Sequence, residues 1–347
     1  MMKHTTAGAI LPLAFAAALA TAIAGPAAAQ GTLNIYAWSD SIAPELIAKF
    51  EAETGIKVNL DGFNSNEDAL TKLQAGNSGY DIVTPSQHFV KIMADQGLLE
   101  DIGANEMAAF AQVEDKWKNA WWDPDSAYSI PLAYGTAGFT VNRDAYQGPV
   151  DSWAIFFQPP EELKGKLASL SYPDEVIGGA ELFLGVPFCS DDKAEMKRVL
   201  DLLRAQKPDV VAYTSDNIEN RIGSGEVGAH FWWDGNSLRT RLAGANIEYA
   251  MPKEGLVGWL DSFVVPKGAA NAENAKTFID FMSTEENSTI QYNYYAHSSP
   301  MKIDMERAKY TPENAPELFP TVPVTFSQAC GPEAQDLVTR VWTDLLR

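Results

Sequence analysis

Two short segments each set a carboxylate two positions after an indole: Trp38-Ser39-Asp40 and Trp259-Leu260-Asp261. In an extended chain alternate side chains share a face, so both members of each pair can project into one space. An aromatic face attracts a cation through its quadrupole, and a carboxylate attracts it through its charge. Two such pairs facing one another would enclose an organic cation, which makes a receptor for amines the reading these residues support.

The elements that would position these pairs follow from hydrophobic periodicity. Residues 33–37 read as a strand and 43–53 as a helix with Leu46, Ile47 and Phe50 on one face, ended by Gly55. A second strand at 56–60, a helix at 66–75, a third strand at 81–84 and a helix at 87–96 complete a βαβαβα pattern, the signature of a mainly parallel sheet covered by helices. In such sheets ligands gather where strand ends meet helix starts, and both Trp38-Ser39-Asp40 and Pro85-Ser86-Gln87-His88 fall at that kind of junction. A second α/β stretch runs from about Gly138 to Gly258, with a strand at 167–171, helices near 179–184 and 193–205, and a buried run at 227–233. Residues 261–266 read as a crossing strand and 272–282 as a helix, and the tail ends in a helix bearing Leu337, Val341, Leu345 and Leu346. With no tandem repeat, low-complexity segment or long linker, domain boundaries must be crossings within the fold.

The first 29 residues read as a secretory leader: Lys3 and His4 at the start, an apolar run from Ala7 to Ile23, and a small-residue cleavage site at Ala27-Ala28-Ala29. No cysteine near that site supports a lipid anchor. No later stretch approaches the roughly 20 apolar residues of a membrane span, so a soluble exported protein without direct membrane insertion is expected. Its length favours two domains. Cys189 and Cys330 are the only cysteines, and an even pair in an exported chain favours one disulfide over two separate buried thiols. The formal charge is -20, which repels nucleic acid and anionic lipid and favours cationic ligands, although an acidic surface is also a common solubility device.

The segments Ile35-Tyr36-Ala37-Trp38-Ser39-Asp40, Phe50-Glu51-Ala52-Glu53-Thr54-Gly55-Ile56-Lys57-Val58, Tyr80-Asp81-Ile82-Val83-Thr84-Pro85-Ser86 and Pro252-Lys253-Glu254-Gly255, followed by Trp259-Leu260-Asp261-Ser262, closely resemble bacterial periplasmic spermidine/putrescine-binding proteins. The similarity spans essentially the whole mature chain, including Tyr128-Ser129-Ile130-Pro131 and Asn142. The Glu-Thr-Gly-Ile-Lys-Val portion alone marks only the broad class of extracellular solute-binding proteins. The resemblance implies the α/β two-lobed periplasmic binding protein fold, each lobe a mixed, mainly parallel sheet flanked by helices and joined by crossing hinge strands. Residues 30–137 plus 262–303 would form the N-terminal lobe and 138–261 plus 304–347 the C-terminal lobe. One crossing would fall near 134–138, where Gly135, Ala137 and Gly138 are small. A monomer in the periplasm, holding a small cationic amine in the interlobe cleft and delivering it to an ABC transporter membrane permease, is the implied function.

Carried over residue by residue, the resemblance gives Trp38 a stacking role against the polyamine chain, with polar contacts from Ser39 and Asp40. Ser86 lines the pocket, Glu175 binds an ammonium, and Ser215 is a weaker polar contact. Trp233 stacks, Trp259 forms an aromatic wall, and Asp261 is the main ammonium-binding aspartate. The mixture has a physical logic: methylene runs gain roughly 0.8 kcal/mol per buried CH₂, and indoles covering them tolerate adjacent charge at about 0.5 to 2 kcal/mol per cation contact. A buried ammonium without an acidic partner would cost more than the aromatics return. This chain also departs from the family pattern. Ser41 replaces a tyrosine found in many members, His88 replaces a pocket tyrosine, Tyr172 stands at a family aspartate, and either Tyr295 or His297 stands at another pocket tyrosine. One acid fewer suggests a ligand with fewer charges, such as a diamine or a modified amine.

Competing readings are specific. Asp40 could instead cap the following helix. Trp121-Trp122-Asp123 reads as packing or surface, and Trp232 and Asp234 as flanking the site. Quaternary ammonium recognition would lean on aromatics more than on carboxylates. A ferric-ion receptor could use His88, His230 and His297 with the Tyr294-Tyr295 pair, but the spacing is no recognised metal motif and the Trp-Asp pairs would have no role. Ser86 with His88 could suggest an exported hydrolase, yet the chain has no Gly-x-Ser-x-Gly elbow, phosphate loop or dinucleotide fingerprint. A binding protein that is not an enzyme and uses no metal or other cofactor is the expectation.

Overall fold

The computed structural model describes residues 1–2, 4 and 31–347, so the expected cleavage site lies outside the described residues. Among the described residues ten strands are present in chain order: β1 (Gly31–Trp38), β2 (Ile56–Phe63), β3 (Ile82–Val83), β4 (Ser129–Asn142), β5 (Leu167–Ser169), β6 (Val210–Tyr213), β7 (Ala229–Trp233), β8 (Ile247–Tyr249), β9 (Leu256–Val264) and β10 (Val324–Phe326). The α-helices are α1 (Pro44–Thr54), α2 (Asn66–Gln74), α3 (Gln87–Asp95), α4 (Ala108–Gln112), α5 (Ala154–Phe157), α6 (Pro173–Leu184), α7 (Lys193–Gln206), α8 (Ile218–Gly223), α9 (Asp234–Leu242), α10 (Ala272–Met282), α11 (Glu285–Tyr295) and α12 (Pro332–Leu346). Among the described residues no helix is long and apolar enough to cross a membrane.

The sheet runs β2-β1-β3-β9-β4-β7-β5-β6, with β10 pairing β9 and β8 pairing β4. One wing, β2-β1-β3, is parallel, and so is the other, β7-β5-β6. Between them β4 and β9 pair antiparallel, and each also bonds antiparallel to one wing. Parallel strands need helical crossovers, which matches the βαβ rhythm of both wings. The two central strands are buried along almost their whole length, as strands covered on both faces must be.

Local chemistry explains the helix boundaries. Pro44 opens α1 at a position where its missing N–H is no loss, and Gly55 closes it at φ 73, a left-handed conformation that glycine adopts freely. Ala275, Phe278, Ile279 and Met282 recur at helical spacing on the buried face of α10, which packs on β1. At the other end α12 packs on α6 and α7. Cys189 and Cys330 form a disulfide that ties the α6–α7 connection to the segment before α12.

Three local readings need correction. The helix expected at 179–184 begins six residues earlier, at Pro173, and the crossing strand expected from Asp261 begins at Leu256. The cap of α1 is Ala43, so Asp40, at φ 58 and exposed, is not the helix cap. Gly135 also has a steric reason to be small: it lies opposite Trp259 in the β4–β9 register, and a Cβ there would sit 2.6 Å from the indole and 2.8 Å from the Asp234 carboxylate.

Candidate binding cleft

The C-terminal ends of parallel strands converge on one cavity of about 370 Å³. Trp38 ends β1, Ser86 follows β3, Tyr172 follows β5, Ser215 follows β6 and Trp233 ends β7. Trp259 and Asp261 come from the middle of β9, two residues apart and therefore on one face. Tyr295 ends α11, and His297 follows it. All thirteen site residues expected from sequence line this cavity: those just named, together with Ser39, Asp40, His88 and Glu175. Both Tyr295 and His297 are in its wall, so the structure does not force a choice between them.

Asp261 is almost wholly buried and faces Ser86, whose hydroxyl donates to Asp261 Oδ1 at 2.8 Å. Ser86 stands at the cap position of α3 but makes no side-chain cap bond there. It is held by Asn66, which accepts from the Ser86 N–H at 2.9 Å and donates to its hydroxyl at 3.2 Å. Gln87 braces the same strand by accepting from the Leu260 N–H at 2.8 Å. On the opposite wing Glu175 accepts from the Trp233 indole N–H at 2.9 Å, while its second oxygen is buried without a partner.

Aromatic rings supply the remaining walls. Tyr172 lies 6.2 Å from Trp38 and 5.6 Å from Trp233, and its hydroxyl donates to the Asn64 carbonyl. Trp259 is 8% exposed, yet it borders the cavity rather than the core alone, and its ring meets His297 at 4.9 Å. The indole N–H groups of Trp38 and Trp259 are buried and unpartnered. That of Trp38 is near enough to ease ionisation of Asp261 without being in hydrogen-bond geometry with it.

Electrostatics in the cavity oppose negative charge. Burial pushes Asp261 up to about 7, with Ser86 pulling the other way. Burial pushes Glu175 up to about 8, opposed by the Trp233 bond and reinforced by Asp174, Asp261 and Asp234. Burial, then Asp174, also raises Glu67. A cation placed among these groups would restore their charged forms, so the cavity is built to gain from cations. Lys and Arg side chains contribute only Arg239 to the lining, and its guanidinium donates to the Tyr295 carbonyl. Among the described residues no group of three or more His, Cys, Asp or Glu is arranged to hold a metal ion.

The profile of the bacterial extracellular solute-binding proteins matches residues 45–319. This chain belongs to that family. It is a solute-binding protein of the kind that serves ABC transporters, not an enzyme, and its fold is the two-lobed α/β fold of periplasmic binding proteins. It is 34% identical over 255 residues to the spermidine/putrescine-binding periplasmic protein of Escherichia coli K12, covering 73% of each chain. To the putrescine-binding periplasmic protein PotF of the same organism it is 28% identical over 351 residues, covering 94% of both. Among solved structures, the spermidine/putrescine ABC transporter substrate-binding protein PotD of Streptococcus pneumoniae superimposes with a TM-score of 0.75 at 25% identity, over 91% of this chain and 99% of that one.

In this solute-binding protein the cleft also recruits residues that sequence reasoning missed. Glu67, Asp174, Asp216 and Glu219 join the lining, as do Asn66, Asn236 and Arg239. Asp174 and Glu67 sit in the first turns of α6 and α2, where acids are common for helix-dipole reasons alone, so their spacing carried no distinct signal. His88 Nε2 lies 3.5 Å from Asp174, which joins α3 to α6 beside the cavity. Trp232 and Asp234, expected to flank the site, are not in its lining, and Trp232 is buried in the core. As expected of packing residues, Trp122 is buried, while Asp123 accepts from the backbone N–H groups of Ala127, Tyr128 and Ser129.

Proposed function

We propose that this protein captures polyamines of the putrescine/spermidine class in the periplasm and presents them to the membrane permease of an ABC transporter. The observation that carries the reading is the pair of buried carboxylates, Asp261 on β9 and Glu175 on α6, set among Trp38, Trp233, Trp259 and Tyr172. An ammonium at each carboxylate, with methylenes lying along the rings, satisfies charge and apolar surface together. The names of the relatives support the same class. The thirteen lining residues named from sequence are the proposed ligand contacts.

The proposed lobes are residues 30–137 plus 262–303 and 138–261 plus 304–347, in a monomer whose leader is removed near Ala29. Contacts from both wings favour a closed state, because a ligand shifts an open–closed equilibrium through its differential affinity for the two forms. The aromatic contacts of Tyr172 favour a second reading within the same class, a modified or quaternary amine.

A thermal-shift panel of putrescine, spermidine, spermine, cadaverine, agmatine, choline, ferric ion and small sugars tests the proposal. Binding to the native state alone adds about 2.7 kcal/mol of stability at a hundredfold excess over Kd, so a true ligand is conspicuous. A response to iron or sugars with none to amines rejects the reading.

A further inference from the structure

Behind Trp259 a polar cluster joins three parts of the chain. The Asp234 carboxylate, at the start of α9, is 1% exposed and accepts four hydrogen bonds: from the Thr136 N–H at 2.8 Å, the Thr136 hydroxyl at 3.2 Å, the Gly235 N–H at 2.6 Å and His297 Nδ1 at 2.7 Å. The approach of α9 to His297 is too close for any side chain at residue 235. A Cβ there would lie 2.1 Å from the Ala296 carbonyl oxygen and 2.6 Å from the His297 ring. Ala296 itself takes a left-handed conformation at φ 57, which turns the chain so that the ring enters the cavity wall between Trp259 and Tyr295.

This geometry fixes the chemistry of the ring. Both Asp234 oxygens already accept from backbone N–H groups, Oδ2 from Thr136 and Oδ1 from Gly235, so the Nδ1 facing Oδ1 carries the hydrogen. Burial lowers the His297 pKa, with the Arg239 guanidinium acting in the same sense and Asp234 opposing, so the ring is neutral at physiological pH. A neutral imidazole has one N–H, and Asp234 claims it. Nε2 is then a lone-pair acceptor on a residue of the cavity wall.

We propose that Asp234 is a positioning residue that locks His297 in the Nδ1–H tautomer, and that His297 Nε2 accepts a hydrogen bond from the ligand's ammonium group. The assignment rests on the amine reading of the cleft and deepens it. It supplies an uncharged acceptor, able to take an N–H without adding to the mutual repulsion of Asp261 and Glu175. Carboxylate-to-histidine pairing orients metal-ligating histidines by the same physical logic, with an ammonium here in place of the metal.

The test combines nitrogen NMR of ¹⁵N-histidine-labelled protein with calorimetric titration of putrescine. In the free wild type, His297 is expected to show a protonated Nδ1 and a bare Nε2, and the Nε2 resonance should move on adding putrescine. His297→Phe keeps a ring without an acceptor and should weaken putrescine binding roughly ten- to a hundredfold, the range for a hydrogen bond to a charged group. His297→Gln, which restores a neutral acceptor, should recover most of the loss. Asp234→Asn should lower the Nδ1–H population and weaken binding, with no further loss when combined with His297→Phe. An Nε2–H tautomer in the wild type, or wild-type affinity in His297→Phe, overturns the inference while leaving the amine reading intact. A wild type that binds no amine overturns the amine reading, and this inference with it.

Discussion

Replacing Asp261 with asparagine keeps the shape of the side chain and an acceptor for the Ser86 hydroxyl, and removes only the charge. Its pKa of about 7, against an ordinary 3.8, corresponds to an ionisation cost on the order of 4 kcal/mol. The neighbouring protein supplies little to offset it: one hydroxyl bond and the nearby Trp38 indole. An ammonium does, and removing one partner of a buried ion pair costs roughly 3–5 kcal/mol, equivalent to about two to three and a half orders of magnitude in Kd. Titration calorimetry with putrescine at about pH 8 should therefore show affinity lowered a hundredfold or more in Asp261→Asn. Thermal unfolding of the unliganded variant should occur at the wild-type temperature or above it, because an unfavourable buried charge has gone. Affinity within about threefold of wild type, or an unliganded variant that unfolds well below it, would show Asp261 to be a structural residue and not the ammonium's partner.

The free protein should lose stability as pH rises from about 6.5 to 8.5. Asp261, raised to about 7, and Glu175 and Glu181, raised to about 8, hold protons in the folded state that the unfolded chain has already released, so unfolding becomes easier as they ionise. His230 and His297, lowered from 6.5, are neutral in both states above that value and add nothing to the slope. Amine binding should release protons across the same window, measurable by calorimetry in buffers of different ionisation enthalpy; uptake or no exchange would contradict it. Glu175→Gln retains an acceptor for the Trp233 indole but loses the charge, and should weaken putrescine binding by about tenfold or more with the tryptophan bond intact. Replacing Cys189 and Cys330 together with serine should lower stability by about 2–5 kcal/mol, since their bond closes a separation of 141 residues. Neither cysteine lines the cleft, so amine affinity should stay unchanged in that variant.

The parts of the fold legible in sequence were those whose pattern has one cause. Leu33, Ile35 and Ala37 alternate because β1 buries one face more than the other, and α10 keeps its apolar residues at helical spacing against β1. The start of β9 was hidden because all nine of its residues are buried, which erases alternation. The first turn of α6 was hidden because Pro173, Asp174 and Glu175 look like a loop, although proline at a helix start and acids beside it are favourable there. Trp38, Trp259 and Asp261 were readable through the repeated indole–carboxylate spacing and the resemblance. The bracing by Asn66 and Gln87, and the Asp234–His297 pair, depend on contacts between residues 20, 173 and 63 positions apart in the chain, which no local pattern encodes.

The most direct measurement is a crystal structure of the protein grown with putrescine. An ammonium nitrogen should lie roughly 2.7–2.9 Å from the Asp261 carboxylate, the length of a charge-assisted bond, with methylenes against the Trp259 face and the far nitrogen towards Glu175. A diamine bound outside the cavity, or held within it by neither carboxylate, would show that Asp261 and Glu175 are not the cation's partners.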